Sequence, residues 1–263
     1  MPERIQSYHL RLLLRDGLAQ YAVLSDKGLI LAVKEYRSKV PLDFVDFFDA
    51  MVAQDYFLKE DYASVRVIYG IPEFTLVPTR YFEPQQVEAF ALATIKPNVD
   101  LDHLEYNDVP VAEATAIFSI PLAVKQKCDH HLARPSYLSV CQPVIQLGAT
   151  LAATQPDLLL LNMFAGQFLL CAVKQGRLHL CNAYTYEGVT DIVYFIQLVM
   201  DIVKLDPKRC GIYMVGEFER DSELMRQMLK FVPGLKVPET PLADKFETKS
   251  DKLPHWRYAY LAY

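Results

Sequence analysis

The chain has 263 residues, 52% of them hydrophobic and 22% charged. That balance excludes a disordered polymer, which lacks the apolar surface to offset chain entropy. With 27 Lys and Arg against 32 Asp and Glu, the net charge is −5, which argues against general nucleic-acid binding.

Residues 10–24 are apolar, but Arg11, Arg15 and Asp16 interrupt them before a signal-peptide core is complete. Residues 9–36 read as three strands joined by turns at Asp16-Gly17 and Asp26-Lys27-Gly28. Such turns favour hairpins because glycine reaches positive φ without steric cost. A helix is expected from Pro41, which suits the first helical position. Phe44, Phe47, Phe48 and Met51 share one of its faces. A buried strand over 65–69 and a helix from Pro84 follow. Next come a strand over 114–120, a helix over 121–132, a short strand over 137–140 and a helix over 141–154.

Residues 157–184 repeat the three-strand plan, with turns at Ala165-Gly166 and Gln175-Gly176. A helix from Thr190, read as its N-cap, carries Val193, Phe195, Ile196 and Val199. A strand over 212–215 and a helix from Ser222 complete the second set. Gly28 and Gly176 are 148 residues apart, as are Asp43 and Asp191, while Val65 and Ile212 are 147 apart. Three elements in one order at a nearly constant offset indicate an internal duplication. Residues 192–203 contain Gln197 and Asp201 and are too short to span a bilayer. After Pro238 the pattern is irregular, and Trp256, Tyr258 and Tyr260 alternate as on a strand. This tail is expected to return and pack against the first lobe.

The five cysteines form no Cys-x-x-Cys pair, so free thiols in a reducing compartment are expected. Cys128 and His131 share a helix face, but two ligands fall short of the four of a structural zinc site. The end of that helix is expected to be solvated.

A three-strand meander followed by helix, parallel strand and helix resembles the ribonuclease-H-like unit. Two tandem copies resemble the actin, hexokinase and heat-shock-chaperone superfamily. The middle segment (AIFSIP, AVKQKCDHHLA, SYLSV, CQPVIQLGATLAA) is similar to the pilus-assembly and cell-division actin homologues. The whole chain, above all YMVGEFERDSELMRQMLK and LPHWRYAYLAY, resembles an uncharacterised bacterial family, domain of unknown function 3822, with an actin-like ATPase fold. The resemblance implies an α/β chain of two ribonuclease-H-like lobes, each a mixed sheet in βββαβα order. It divides the chain into 1–154, 155–237 and a tail, 238–263.

The resemblance also implies where ATP would sit. In the superfamily each first turn carries Asp-x-Gly, whose carboxylate acts through Mg²⁺, and a later strand ends in paired glycines near the adenosine. Here Arg15 stands two before Gly17, and Asp16 is shifted by one, to the opposite strand face. In the second copy Asn162 lies near the expected acid, and bulky Met163 and Phe164 precede Gly166. Gly216 is followed by Glu217 instead of a second glycine. With ten glycines in the chain, about 4% against the usual ~7%, few remain for a phosphate cradle.

The expectation is therefore a cytoplasmic actin-like protein without ATPase activity, a protein-interaction or assembly factor with an unknown protein partner. No catalytic residue, metal, cofactor, nucleic acid or membrane insertion is expected. The alternative is an ATP-dependent phosphotransfer enzyme with an atypical interlobe site. There Arg15, Asp16, Gly17, Asn162, Gly166, Gly216 and Glu217 would line the cleft around ATP and Mg²⁺.

Overall fold

A computed structural model describes residues 6–15, 17–38, 44–70, 73–95, 103–239, 243–247 and 254–263. Asp16, Pro41 and Asp43, singled out above, lie outside the described residues. Strands β1 (His9–Arg15), β2 (Leu18–Leu24) and β3 (Ile30–Arg37) form an antiparallel meander. The helix α1 (Phe44–Gln54) follows and buries Phe47, Phe48, Met51 and Val52. Burial of each such side chain contributes roughly 1.5–3 kcal/mol. The strand β4 (Ser64–Tyr69) then pairs with β1 in parallel.

Before the next strand of that sheet, the chain builds a second, smaller one. It comprises β5 (Phe74–Pro78), helix α2 (Val87–Thr94), β6 (Leu104–Val109) and β7 (Ala114–Ser119), with strand order β5-β7-β6. Val87, Ala91, Val77 and Ile117 make its small core. Of these three strands, the sequence pattern foretold β7 alone. Helix α3 (Leu122–His131), strand β8 (Pro135–Ser139) and helix α4 (Cys141–Ala152) follow. β8 completes the first sheet in the order β3-β2-β1-β4-β8.

The second meander is β9 (Leu158–Phe164), β10 (Gln167–Lys174) and β11 (Arg177–Thr185). Helix α5 (Val189–Val203), β12 (Gly211–Gly216), α6 (Glu223–Phe231) and β13 (Leu235–Lys236) follow, giving the order β11-β10-β9-β12-β13. Helix α5 starts one residue ahead of Thr190. Its cap is Gly188, whose N–H, like that of Glu187, is accepted by the Asp191 carboxylate. Ser222 caps α6 as its position suggests, accepting from Met225 N.

The duplication extends to irregularities. The β2–β3 register shifts at Val23/Leu24, and the β10–β11 register shifts at Ala172/Val173, 149 residues on. Ser38 N donates to Gly17 O, and Tyr186 N donates to Gly166 O. A bulge is an extra residue that bends one strand, and chance does not place two of them at one offset.

Three cores result. One lies between the first sheet and α1 and α3, and another between the second sheet and α5 and α6. The third joins the lobes, with α4 at its centre and both sheets contributing, including Leu13 and Leu160. The chain end enters this third core. Residues 255–261 form a 3₁₀ turn, not the strand that the alternation of Trp256, Tyr258 and Tyr260 suggested, and bury Tyr258 through Leu261.

Candidate functional site

Both meanders point their first turns at the junction between the lobes. Along β1 alternate side chains share a face, so Arg11, Leu13 and Arg15 look toward the central core while Leu10, Leu12 and Leu14 look toward α1. On β9 the same rule turns Leu160, Asn162 and Phe164 inward, and Leu159, Leu161 and Met163 outward.

Arg15 crosses the junction. Its Nη1 donates to Glu217 Oε1 at 2.7 Å, and its guanidinium lies 4.7 Å from the centroid of the Phe164 ring. The paired side chains are 15% and 8% exposed, so little water screens them. Arg37, at the end of β3, reaches the other Glu217 oxygen at 3.3 Å and Glu35 at 3.4 Å. Burial works against the charge of Arg37, but Glu217 and Glu35 outweigh it and hold the guanidinium above its ordinary pKa.

From Glu35 the network continues inward. Gln20 Nε2 donates to Glu35 at 2.5 Å, and Tyr260 OH donates to Gln20 Oε1. Burial, then the charges of Glu217 and Glu35, push the Tyr260 hydroxyl well up, so it stays a donor. Arg15, Glu217, Arg37, Glu35, Gln20 and Tyr260 thus form one hydrogen-bonded chain from the hairpin turns to the C-terminal segment. That segment is tied to both sides. Arg11 Nη1 donates to Leu261 O at 2.9 Å, Trp256 stacks on Phe218, and Arg257 pairs with Glu219 at 2.5 Å.

Glu217 is carried to this place by Gly216, at φ +97°. A Cβ there would lie 2.4 Å from Met163 O, so only glycine lets the end of β12 lie so close to β9. Glu217 N then donates to Met163 O at 2.9 Å. Gly17 and Gly166 sit in the two hairpin turns at φ +65° and +71°.

Asn162 is fully buried beside Val215 and Leu169, its register partners, and neither its amide oxygen nor its nitrogen has a hydrogen-bond partner. Of the residues expected in the cleft, the structure thus joins Arg15 to Glu217 directly. It places Gly216 beneath Glu217, and Asn162 behind them in β9. Asp16 lies outside the described residues. The sequence reading did not find Arg37, Glu35, Gln20 and Tyr260, because their meeting depends on contacts up to 240 residues apart.

Cys128 is fully buried in the core of the first lobe, and burial pushes its thiol up to about 12. The end of α3 is otherwise solvated as expected, with Asp129 and His130 exposed, and the half-buried His131 turns to Asp49 at 3.3 Å. Another carboxylate, Asp55, is 2% exposed and accepts from Tyr36 OH, Tyr21 OH, Lys34 Nζ and the Phe57 amide. Burial alone would raise its pKa, but these donors outweigh burial and hold it below the ordinary value.

The family model described as "Protein of unknown function (DUF3822)" matches residues 2–235. None of the curated proteins matches. Among solved structures, the chain is similar to a Bacteroides thetaiotaomicron protein with an actin-like ATPase fold and unknown function. The two are 15% identical, with 91% of this chain and 93% of that one covered at a TM-score of 0.80. It is also similar to a chain of the PilM–PilN type IV pilus biogenesis complex, 12% identical, covering 98% and 97% at a TM-score of 0.73. A third is the ethanolamine utilization protein EutJ from Carboxydothermus hydrogenoformans, 9% identical, covering 97% and 88% at a TM-score of 0.54. These likenesses show the fold, an actin-like arrangement of two lobes with mixed sheets.

Proposed function

The chain belongs to the DUF3822 family of proteins of unknown function, and we propose that it works there as a non-hydrolysing, two-lobed scaffold acting through protein contacts. The observation that carries this reading is the Arg15–Glu217 ion pair, which spans the junction where the fold would hold nucleotide phosphates. A carboxylate at that point repels polyphosphate. Its arginine partner is engaged, and Phe164 fills the space beneath the guanidinium.

Among the described residues, the donor set does not suit a magnesium nucleotide. Arg15 cannot ligate a cation, and Asn162 is sealed among apolar side chains. Tyr260 and its neighbours further occupy the central core from the C-terminal side. We therefore derive no phosphoryl-transfer step. What the arrangement does is tie the two lobes together across the junction, as suits a platform for a partner. The similarity to a chain of the PilM–PilN complex supports a protein as that partner. Among the described residues no helix is long and apolar enough to cross a bilayer.

Calorimetric titration with ATP and Mg²⁺, followed by a phosphate-release assay, tests the reading. Neither heat of binding nor turnover is expected at millimolar nucleotide. Saturable, magnesium-dependent binding with turnover favours instead the atypical phosphotransfer site formed by the same residues.

A further inference from the structure

We propose that the first lobe carries a binding site for a phosphate group, at the end of its sheet opposite the β1–β2 turn. β1 and β4 run parallel there, and two successive rungs on one face pair His9 with Ser64 and Arg11 with Arg66. Neighbouring strands lie about 4.8 Å apart, so two arginine stems rise side by side from adjacent backbones. Lys27, in the β2–β3 turn, borders the same recess of about 340 Å³.

What points to a ligand is missing compensation. Arg11 gives one hydrogen bond, to the Leu261 carbonyl, and among the described residues neither Arg11 nor Arg66 has an ion-pair partner. Burial, then the charge of Arg66, push the Arg11 pKa down to about 10. Among the described residues, Asp26 is the one carboxylate lining the recess, against Arg11, Lys27 and Arg66. This positive excess stands in a chain whose net charge is −5.

Two adjacent guanidinium groups present planar donor forks that match a tetrahedral oxyanion. An ammonium and a hydroxyl stand beside them, with the His9 ring held at 2.8 Å from Ser64 Oγ. The net charge of the recess matches a dianion, where a monovalent carboxylate would leave cationic charge over. The recess lies four residues down β1 from Arg15, about 13 Å at strand rise, so it is separate from the Arg15–Glu217 junction and independent of the function proposed for it.

The test is a titration of the full chain, ¹⁵N-labelled at arginine, with inorganic phosphate against chloride at matched ionic strength. Saturable shifts of the Arg11 and Arg66 Nε–Hε resonances are expected with phosphate and not with chloride. Arg66→Gln, at an exposed position, should weaken phosphate about tenfold, as loss of a charge-assisted bond implies. Lys27→Gln should weaken it less, and the distant Arg209→Gln should leave it unchanged. Glycerol phosphate as a second arm separates the sources. Equal affinity assigns free phosphate, and tighter binding assigns an esterified ligand. Shifts that do not saturate, an equal response to chloride, or an Arg66→Gln variant of wild-type unfolding midpoint that binds like wild type overturn the proposal.

Discussion

In the first lobe, Leu13 on β1 faces Gln20 on β2; in the second, Asn162 on β9 faces Leu169 on β10, at the equivalent rung. One polar side chain has thus changed strands between the copies, and its circumstances differ. Gln20 is satisfied by Glu35 and Tyr260, whereas Asn162 has no partner. The strand ends differ as well. Gly70 N donates to Leu14 O and Glu217 N donates to Met163 O, so Tyr69 in the first lobe stands where the second has Gly216. The bulges, the turn glycines and these closing hydrogen bonds are common to both. Duplicated backbones keep the features that chain geometry requires, while side chains at the junction diverge.

The largest effect is expected at Gly216. Gly216→Ala places a methyl 2.4 Å from the Met163 carbonyl at φ +97°, and should cost about 4 kcal/mol in urea unfolding. Tyr69 tolerates a side chain at the corresponding place, so a small loss at Gly216 would break the claim that the second lobe alone needs close approach there.

Next is Asp55, a polar hub of the first lobe. Asp55→Ala leaves Tyr21, Tyr36 and Lys34 without their common acceptor, and should cost about 3 kcal/mol. The sign with pH follows from its depressed pKa. The native contribution is whole above the ordinary 3.8 and fades as pH falls through the lower folded value. Acid unfolding curves of wild type and Asp55→Ala should therefore converge below that pH. Parallel curves would show that the carboxylate is not ionised in its buried site.

The smallest effect, and the sharpest for the comparison, has the opposite sign. Asn162→Leu gives the second lobe the apolar residue that the first has in Leu13. It removes an unpartnered buried amide, and should stabilise by about 1–2 kcal/mol in the same urea assay. Destabilisation would mean that the amide is satisfied in solution.

Much of this fold could be read from residue order. The Asp-Gly and Gln-Gly turns, the Ser222 cap and the repeated offset are local signals with local causes. β5 was not legible because it is only five residues long, and β6 because it is the polar run LEYNDV, whose extended form depends on pairing with β7. Trp256, Tyr258 and Tyr260 gave a strand-like period, yet burial between two sheets selects a 3₁₀ turn. At the candidate site the sequence exposed the departures, Arg15, Phe164 and Glu217. That Arg15 and Glu217 answer each other was not legible, since 202 residues separate them.

On the reading proposed above, the interlobe junction is closed by the chain's own side chains. The most direct measurement is a crystal structure grown with ATP and Mg²⁺ in millimolar excess. The Arg15–Glu217 pair is expected intact, with Phe164 beneath it and no nucleotide between the hairpin turns. A triphosphate between the turns at Gly17 and Gly166, with Arg15 and Glu217 drawn apart, would contradict that reading.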